Sequence, residues 1–218
     1  MLLAASLLMI YSCSKDSSSN NNGGGNSTAD SYHPLTANSF WTYKDSTDGS
    51  VRTLTATNKT QNIGGQTYTV LVDTSSSGID TVLASNQGHD YYYYLNSSGA
   101  STNGVPISAT LHYLNDTASV GSSWQYNAGT VGGLPATVKT TVVEKNVSVS
   151  VNSKTYNNVY HTRMDVSVNA FGTQASVGSY DFFIAKGVGI VRIRAVLGGG
   201  LLGSAVNTDT ELTDYSIK

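Results

Sequence analysis

Cysteine and charge are both scarce in this chain. Its 218 residues include one cysteine, Cys13, so no disulfide can form within the chain. Charged residues make up only 12% of the sequence, and the formal net charge is −2. Because nucleic-acid binding requires clustered lysine and arginine, this composition argues against a nucleic-acid partner. No stretch after residue 13 is long and apolar enough for a membrane-spanning helix.

The motifs of common catalytic and metal sites are also missing. The four histidines, His33, His89, His112 and His161, have neither the spacing nor the cysteine partners of a zinc site. His161 falls on the polar face of a predicted strand and is interpreted as solvated. No Gly-x-Ser-x-Gly elbow occurs, and nothing singles out a glycosidase-like pair among the 14 acidic residues. We therefore predict no enzymatic activity, no metal site and no cofactor.

A short glycine motif, Gly187-Val188-Gly189, could suggest a nucleotide-binding loop. The dinucleotide fingerprint needs a third glycine and a following helix, whereas β-type residues follow here. The motif is therefore predicted to be a turn between two strands.

Cys13 follows an apolar segment, residues 2–10, that has the length of a signal-peptide core. A transmembrane helix would need roughly 18 apolar residues, and a signal hydrophobic region has about 7–15. Residues 10–13, Ile-Tyr-Ser-Cys, resemble the lipobox of bacterial lipoproteins. The resemblance implies cleavage before Cys13, diacylglycerol on its sulfur and a further acyl chain, such as palmitate, on its amino group. We predict a signal peptide over residues 1–12 and a membrane anchor at Cys13.

The segment after the anchor, residues 13–31, is predicted to be a disordered tether. Thirteen of the 18 residues from Ser14 to Ser31 are Ser, Asn or Gly, and such a composition cannot bury the surface that folding requires. A coil of this length spans roughly 25 Å root-mean-square. The remaining residues, 32–218, have the length of one domain.

A two-residue alternation is the clearest structural signal in this domain. Within residues 160–169, Met164 and Val166 alternate with Arg163 and Asp165. This pattern is typical of a strand with one buried and one exposed face. We expect Met164 and Val166 to be buried and Arg163 and Asp165 to be exposed.

Other segments repeat this pattern. Three alternating valines precede Asn152-Ser153-Lys154, which is predicted to be a hairpin turn because asparagine tolerates positive φ. No window of 12 residues shows a helical apolar period. The domain is therefore predicted to be all-β and antiparallel, as a sandwich, half-barrel or strongly curved sheet. The other predicted strands cover residues 52–60, 68–72, 180–184, 190–197 and 211–217.

Three segments of the domain resemble known proteins. Residues 32–43 begin Tyr-His-Pro-Leu and end Trp-Thr-Tyr, residues 151–156 read Val-Asn-Ser-Lys-Thr-Tyr, and residues 185–191 read Ala-Lys-Gly-Val-Gly-Ile-Val. They resemble the Y-x-P-L…W-x-Y opening, the V-N-G-K-x-Y hairpin and the A-K-G-V-G-L-V segment of a family of uncharacterised exported Bacteroidota lipoproteins. Asn38 and Ser153 stand where that family has glycine. The resemblance implies an exported, β-rich lipoprotein and carries over no catalytic residue.

Four adjacent tyrosines, Tyr91, Tyr92, Tyr93 and Tyr94, form the most unusual local feature. In a strand, two of these rings face one side and two face the other. They fit either a central strand that packs on both faces or the aromatic wall of a ligand groove, because tyrosine combines an apolar ring with a polar tip.

These observations predict an outer-membrane or cell-surface lipoprotein, attached to the membrane through its N-terminal lipid. Its β domain is expected to be a non-catalytic binding module for a hydrophobic or glycan ligand, with the four tyrosines as candidate ligand-binding residues. The alternative is a structural or adhesion-type surface protein without a ligand cavity.

The anchor can be tested directly. Cys13→Ala should abolish labelling with radioactive palmitate and release the protein from membranes, because Cys13 is the only thiol that can carry the lipid. Labelling and membrane fractionation of wild type and variant measure this. Equal palmitate incorporation in the two proteins would contradict the anchor.

Overall fold

The computed structural model describes residues 30–97, 106–198 and 206–218, which contain twelve β-strands and no helix. The predicted signal peptide, the lipid-attachment residue Cys13 and the tether up to residue 29 lie outside the described residues. Within the described ranges, no helix has the length and apolarity needed to cross a membrane. The strands are β1 Phe40–Asp45, β2 Val51–Ile63, β3 Gln66–Ser75, β4 Gly78–Gln87, β5 Asp90–Ser97, β6 Ile107–Asn115, β7 Ser123–Val131, β8 Leu134–Val151, β9 Lys154–Ala170, β10 Thr173–Ala185, β11 Gly189–Leu197 and β12 Val206–Ser216.

The strands form one closed antiparallel barrel, in which each strand pairs with its neighbours in sequence. β1 pairs with β2 on one side and with β12 on the other, from Phe40 opposite Ser216 to Asp45 opposite Thr210. The predicted all-β, antiparallel class is confirmed. The closed barrel is more specific than the sandwich, half-barrel or curved sheet that the sequence left open.

The alternation predicted for β9 is confirmed. Met164 is 0% exposed and Val166 8% exposed, whereas Arg163 and Asp165 lie on the outer face. Tyr180 of β10 lies opposite Met164, so the two side chains share the inner face. The same alternation recurs on β8 from Ala136 to Val142, and the inward side chains form the hydrophobic core.

Both predicted turns between strands are confirmed. Asn152 and Ser153 have φ of 48° and 65° and connect β8 to β9 in a two-residue hairpin. Asn38 also has positive φ, 69°, so both positions where the resembling family has glycine keep a glycine-like backbone. Gly189 follows the turn between β10 and β11, and a Cβ there would lie 3.2 Å from the Trp41 indole nitrogen.

The backbone pairing between β6 and β7 is short. These strands pair over only three residues each, Ile107–Ala109 with Gly129–Val131. At this junction the backbones are so close that a Cβ on Gly129 would lie 2.1 Å from the Ser108 carbonyl oxygen. Position 129 therefore requires glycine.

Beyond the junction, side chains replace the missing backbone pairs. The Trp124 indole donates to the His112 carbonyl at 3.1 Å, and the Thr140 hydroxyl donates to the same oxygen at 2.8 Å. The Tyr126 hydroxyl accepts a hydrogen bond from the His112 amide. Backbone groups that would otherwise be buried without partners are thereby satisfied.

Because neighbouring strands run in opposite directions, their connections fall at two ends of the barrel. The mouth end carries the turns β1–β2, β3–β4, β7–β8 and β9–β10, together with the adjoining ends of β5, β6, β11 and β12. The plug end carries the other connections and receives residues 31–33 from the N-terminal side.

The register of β9 predicts different costs for neighbouring substitutions. Met164→Ala should lower the free energy of unfolding by about 2–5 kcal/mol, because it leaves a cavity in a fully buried site. Arg163→Ala should change it by at most about 0.5 kcal/mol, because the side chain is 46% exposed and forms only surface ion pairs. Urea denaturation measures both. A larger loss of stability in Arg163→Ala than in Met164→Ala would contradict the assignment of the inner and outer faces of β9.

Candidate functional site

A cavity of about 230 Å³, partly open to solvent, lies inside the mouth half of the barrel. Eight strands contribute to its wall, and its outermost lining residues, such as Leu95 and Ala195, lie two residues from strand ends at the mouth. The lining residues are Tyr43, Arg52, Leu54, Val82, Tyr93, Leu95, Leu111, Tyr180, Phe182, Ile190, Ile193, Ala195, Thr208 and Thr210.

Three tyrosines bring hydroxyl groups to this mostly apolar wall. The Tyr43 hydroxyl donates to the Ile190 carbonyl at 3.0 Å. Among the described residues, no partner is found for the Tyr180 hydroxyl. Burial raises the pKa of Tyr43, Tyr93 and Tyr180, so all three remain neutral at physiological pH.

The polar part of the cavity is its rim. Arg52 alone carries a charge among the described lining residues, and its guanidinium makes a two-pronged ion pair with Asp73. The Thr210 hydroxyl donates to the Asp45 carboxylate at 3.1 Å. Because Asp73 already neutralises Arg52, the rim offers no strong attraction to a charged ligand.

The plug end is filled by residues 31–33. Asn86 donates to the His33 carbonyl at 2.5 Å and to the Ser31 hydroxyl at 3.2 Å. The Tyr32 amide donates to the Tyr91 hydroxyl at 3.2 Å, and the Tyr32 ring packs edge-on against Tyr160. Residues 31–33 are at most 6% exposed, so they form a plug segment that closes this end.

His33 is the titratable group of the plug segment. Its Nδ1 lies 2.7 Å from the Tyr113 hydroxyl, and its Nε2 lies 3.5 Å from the Tyr93 hydroxyl. Burial lowers the pKa of His33 from 6.5 to about 3, so the imidazole is neutral at physiological pH. Tyr93 therefore connects the plug segment to the cavity wall.

The tyrosine run divides between the two faces of β5, as the alternation predicts. Tyr91 and Tyr93 point inward and are 1% and 9% exposed. Tyr93 lines the cavity, whereas Tyr91 lies at the plug end and donates to the Asp116 carboxylate at 2.9 Å. Tyr92 and Tyr94 point outward. The fold thus brings one of the four candidate residues, Tyr93, to the cavity.

The outward tyrosines belong to a partly exposed aromatic cluster on the barrel exterior. Tyr92 stacks on His112 at 4.4 Å between ring centroids, and Trp124 lies 4.9 Å from the same imidazole. His112 Nε2 is 2.8 Å from the Asp90 carboxylate but lacks hydrogen-bond alignment. Burial lowers the pKa of His112.

His161 lies on the outer face predicted for it, although its ring is only 15% exposed. It stacks on Phe183 at 4.4 Å and contacts Glu144 at 3.1 Å and Asp181 at 2.9 Å. The four histidines are thus distributed between the plug segment and separate exterior positions. Across the described ranges, no group of three or more His, Cys, Asp or Glu is arranged to hold a metal ion.

Most residues that line the cavity could not be identified as binding residues from the sequence. The alternation marks Tyr180, Phe182 and Ile193 as inward-facing, but it does not distinguish a packed core from an open cavity. Arg52 and Thr210 have no sequence signal, because their positions follow from barrel closure.

Comparisons with known proteins add little. No protein-family model and no curated protein matches the chain. Among solved structures, a similar chain is a candidate lipoprotein from Parabacteroides distasonis ATCC 8503, whose crystal structure was determined at 2.70 Å. It is 12% identical, has a TM-score of 0.49, and the match covers 85% of this chain and 98% of that chain.

Because neutral His33 is buried in the plug segment, we expect the stability of the barrel to decrease in acid. Between pH 6.5 and about 3, the unfolded chain protonates His33 while the folded chain does not. The free energy of unfolding should therefore fall as pH decreases below 6.5, by up to about 1.4 kcal/mol per pH unit from this group. His33→Asn should reduce the slope without abolishing it, since His112 acts in the same direction. Urea titrations at several pH values measure the slope, and an unchanged slope would contradict the assignment.

Proposed function

We propose that this protein is a lipid-anchored cell-envelope protein whose barrel binds a small hydrophobic molecule in the mouth-end cavity. The observation that carries the proposal is a partly open cavity of about 230 Å³ with mostly apolar walls. A packed barrel without a binding role would fill this space with side chains, as protein interiors generally do.

The cavity size limits the ligand. An apolar cavity of about 150 Å³ is known to hold benzene, and pockets for drug-sized ligands have about 300–1,000 Å³. A volume of 230 Å³ therefore suits a single substituted ring, or the end of an acyl chain that enters through the mouth.

The polar groups of the wall favour a ligand with few polar atoms. Tyr43, Arg52 and Thr210 already have partners within the protein. Tyr180 and Thr208 are the lining residues whose hydroxyls have no partner among the described residues. They can hydrogen-bond one hydroxyl or carbonyl group of an otherwise apolar ligand.

The small number of available polar groups in the wall also favours a hydrophobic ligand over a glycan inside the cavity. A sugar ring carries several hydroxyl groups, and each one left without a partner in an apolar site is unfavourable. Two available hydroxyls on an apolar wall do not meet that demand.

We further propose that the barrel binds without catalysis, at the outer membrane. The described lining residues include no histidine, carboxylate, cysteine or serine, so a nucleophile paired with a base is absent from this part of the wall. The lipobox-like residues before Cys13 support the anchor, and several acyl chains would hold the protein on a membrane stably.

A second candidate function is a surface adhesion or structural role. The observation in its favour is the exterior cluster of Tyr92, His112 and Trp124, whose rings are only partly covered. Aromatic rings with polar neighbours are typical of contact surfaces.

The binding proposal is tested with N-phenyl-1-naphthylamine, an uncharged probe that fluoresces in apolar surroundings. Wild type should enhance its fluorescence, and decanol should displace it. Ala195→Phe should weaken binding at least about tenfold, because Ala195 lines the cavity and the larger ring occupies it.

Val196→Phe is the matched control. Val196 is the next residue, points to the outer face and is 46% exposed, so its replacement leaves the cavity unchanged. Circular dichroism checks that both variants are folded. Equal binding by wild type and folded Ala195→Phe would place the probe elsewhere and contradict the cavity as the site.

A further inference from the structure

The exposed hydrophobic side chains of the barrel are concentrated at one end. Seven large hydrophobic residues in the described ranges are exposed by more than a third, and five of them lie at or beside the mouth. Val120 lies instead at the plug end, and Val143 lies on β8. The five at the mouth are Val51, Ile79, Phe171, Val196 and Val206, of which Ile79 and Phe171 are 77% and 104% exposed.

Phe171 occupies the tip of the β9–β10 hairpin, which extends past β11 on one side and is flanked by β8 on the other. The pairing of β10 with β11 ends at Gly178 opposite Leu197, whereas β9 and β10 remain paired out to Ala170 and Thr173. The β9–β10 hairpin therefore continues about five residues past the end of β11. At its tip, the aromatic ring of Phe171 extends fully into solvent.

The backbone at this tip disfavours phenylalanine. Phe171 and Gly172 have φ of 53° and 83°, so both lie in the left-handed region. The β2–β3, β7–β8 and β8–β9 turns likewise have positive φ at both turn residues, and their first residues are Gly64, Gly132 and Asn152. Glycine and asparagine are the residues this turn favours, whereas a bulky side chain there is strained. Neither packing nor turn geometry accounts for Phe171.

We propose that the mouth end docks on a lipid bilayer and inserts Phe171, with Ile79 and the neighbouring valines resting on the lipid surface. The inference rests on the anchor and ligand proposed above. It adds an orientation in which the cavity mouth faces the membrane, so an apolar ligand passes between bilayer and cavity without crossing water. Exposed aromatic and aliphatic residues around an opening are suited to that surface.

The position and length of the N-terminal chain permit this orientation. The Asp30 carboxylate lies 3.0 Å from Lys186 Nζ, and the Gly187 amide donates to the Ser31 carbonyl, so the described chain begins beside the plug end of β10. The 13 residues of β10 span about 43 Å toward Phe171. About 17 residues separate Cys13 from Asp30, and their full extension of about 55–60 Å exceeds that distance.

A tryptophan reporter tests the orientation in the full lipidated chain. Phe171→Trp and Val120→Trp are reconstituted into phosphatidylcholine vesicles with and without brominated acyl chains, which quench tryptophan on contact. Both positions are exposed, but they lie at opposite ends of the barrel. The emission added by Phe171→Trp should be quenched at least twice as strongly as that added by Val120→Trp. Equal quenching, or stronger quenching at position 120, would overturn the proposal.

A second variant separates membrane contact from folding. Phe171→Asn should raise the thermal midpoint, because asparagine suits the left-handed turn position, and should slow transfer of N-phenyl-1-naphthylamine from vesicles to the protein several-fold. Val120→Asn is the control and should leave transfer unchanged. Unchanged transfer in Phe171→Asn would contradict docking through this residue.

The failures of the separate proposals can be distinguished. Flotation of vesicles shows first whether the protein is anchored. If wild type is anchored but does not bind the probe, the ligand proposal fails while the quenching comparison still reports the orientation. If wild type binds the probe but position 171 is not quenched, the docking proposal alone fails.

Discussion

The pairing of β1 with β12 is the constraint on which the rest of the barrel depends. β1 has only six residues, yet it pairs along both edges and joins the beginning of the domain to its end. Without this pairing, β2 and β12 would present unpaired edges to solvent. Two side chains of β1 reinforce closure across the interior, since Trp41 donates to the Val188 carbonyl at 2.6 Å and Tyr43 to the Ile190 carbonyl.

Closure creates an interior that the protein fills unevenly. At the plug end, residues 31–33 and the rings of Trp41, Tyr91 and Tyr113 occupy the space, and their polar atoms find partners within the protein. At the mouth end, aliphatic and aromatic side chains line a cavity that they do not fill. Burial of His33 as a neutral imidazole is part of this division, because a charged ring there would lack both water and an acidic partner.

The barrel follows the local rules of β structure almost everywhere, so its departures from them are informative. Glycine occupies position 129, where two backbones nearly touch, and glycine or asparagine begins three of the left-handed turns. Phe171 departs from this pattern without making compensating contacts. Residues that reduce local stability without improving packing are expected at functional surfaces, and this expectation is the basis for the proposal that the mouth end contacts the membrane.

The sequence by itself predicted parts of β2, β3 and β8 to β12, the two faces of β9 and two turns, but no strand where β4, β6 and β7 lie. Arg163 and Met164 are neighbours that point to opposite faces of β9, so their burial follows from local strand geometry. The turn at Asn152-Ser153 follows from the backbone preferences of these two residues, so it is local as well. The tertiary structure decided which inward faces became core and which became cavity wall, and thus that only Tyr93 of the four tyrosines reaches the cavity. It also decided closure, because the pairing of residues 40–45 with residues 210–216 depends on the number and tilt of all the strands between them. No local periodicity carries that information.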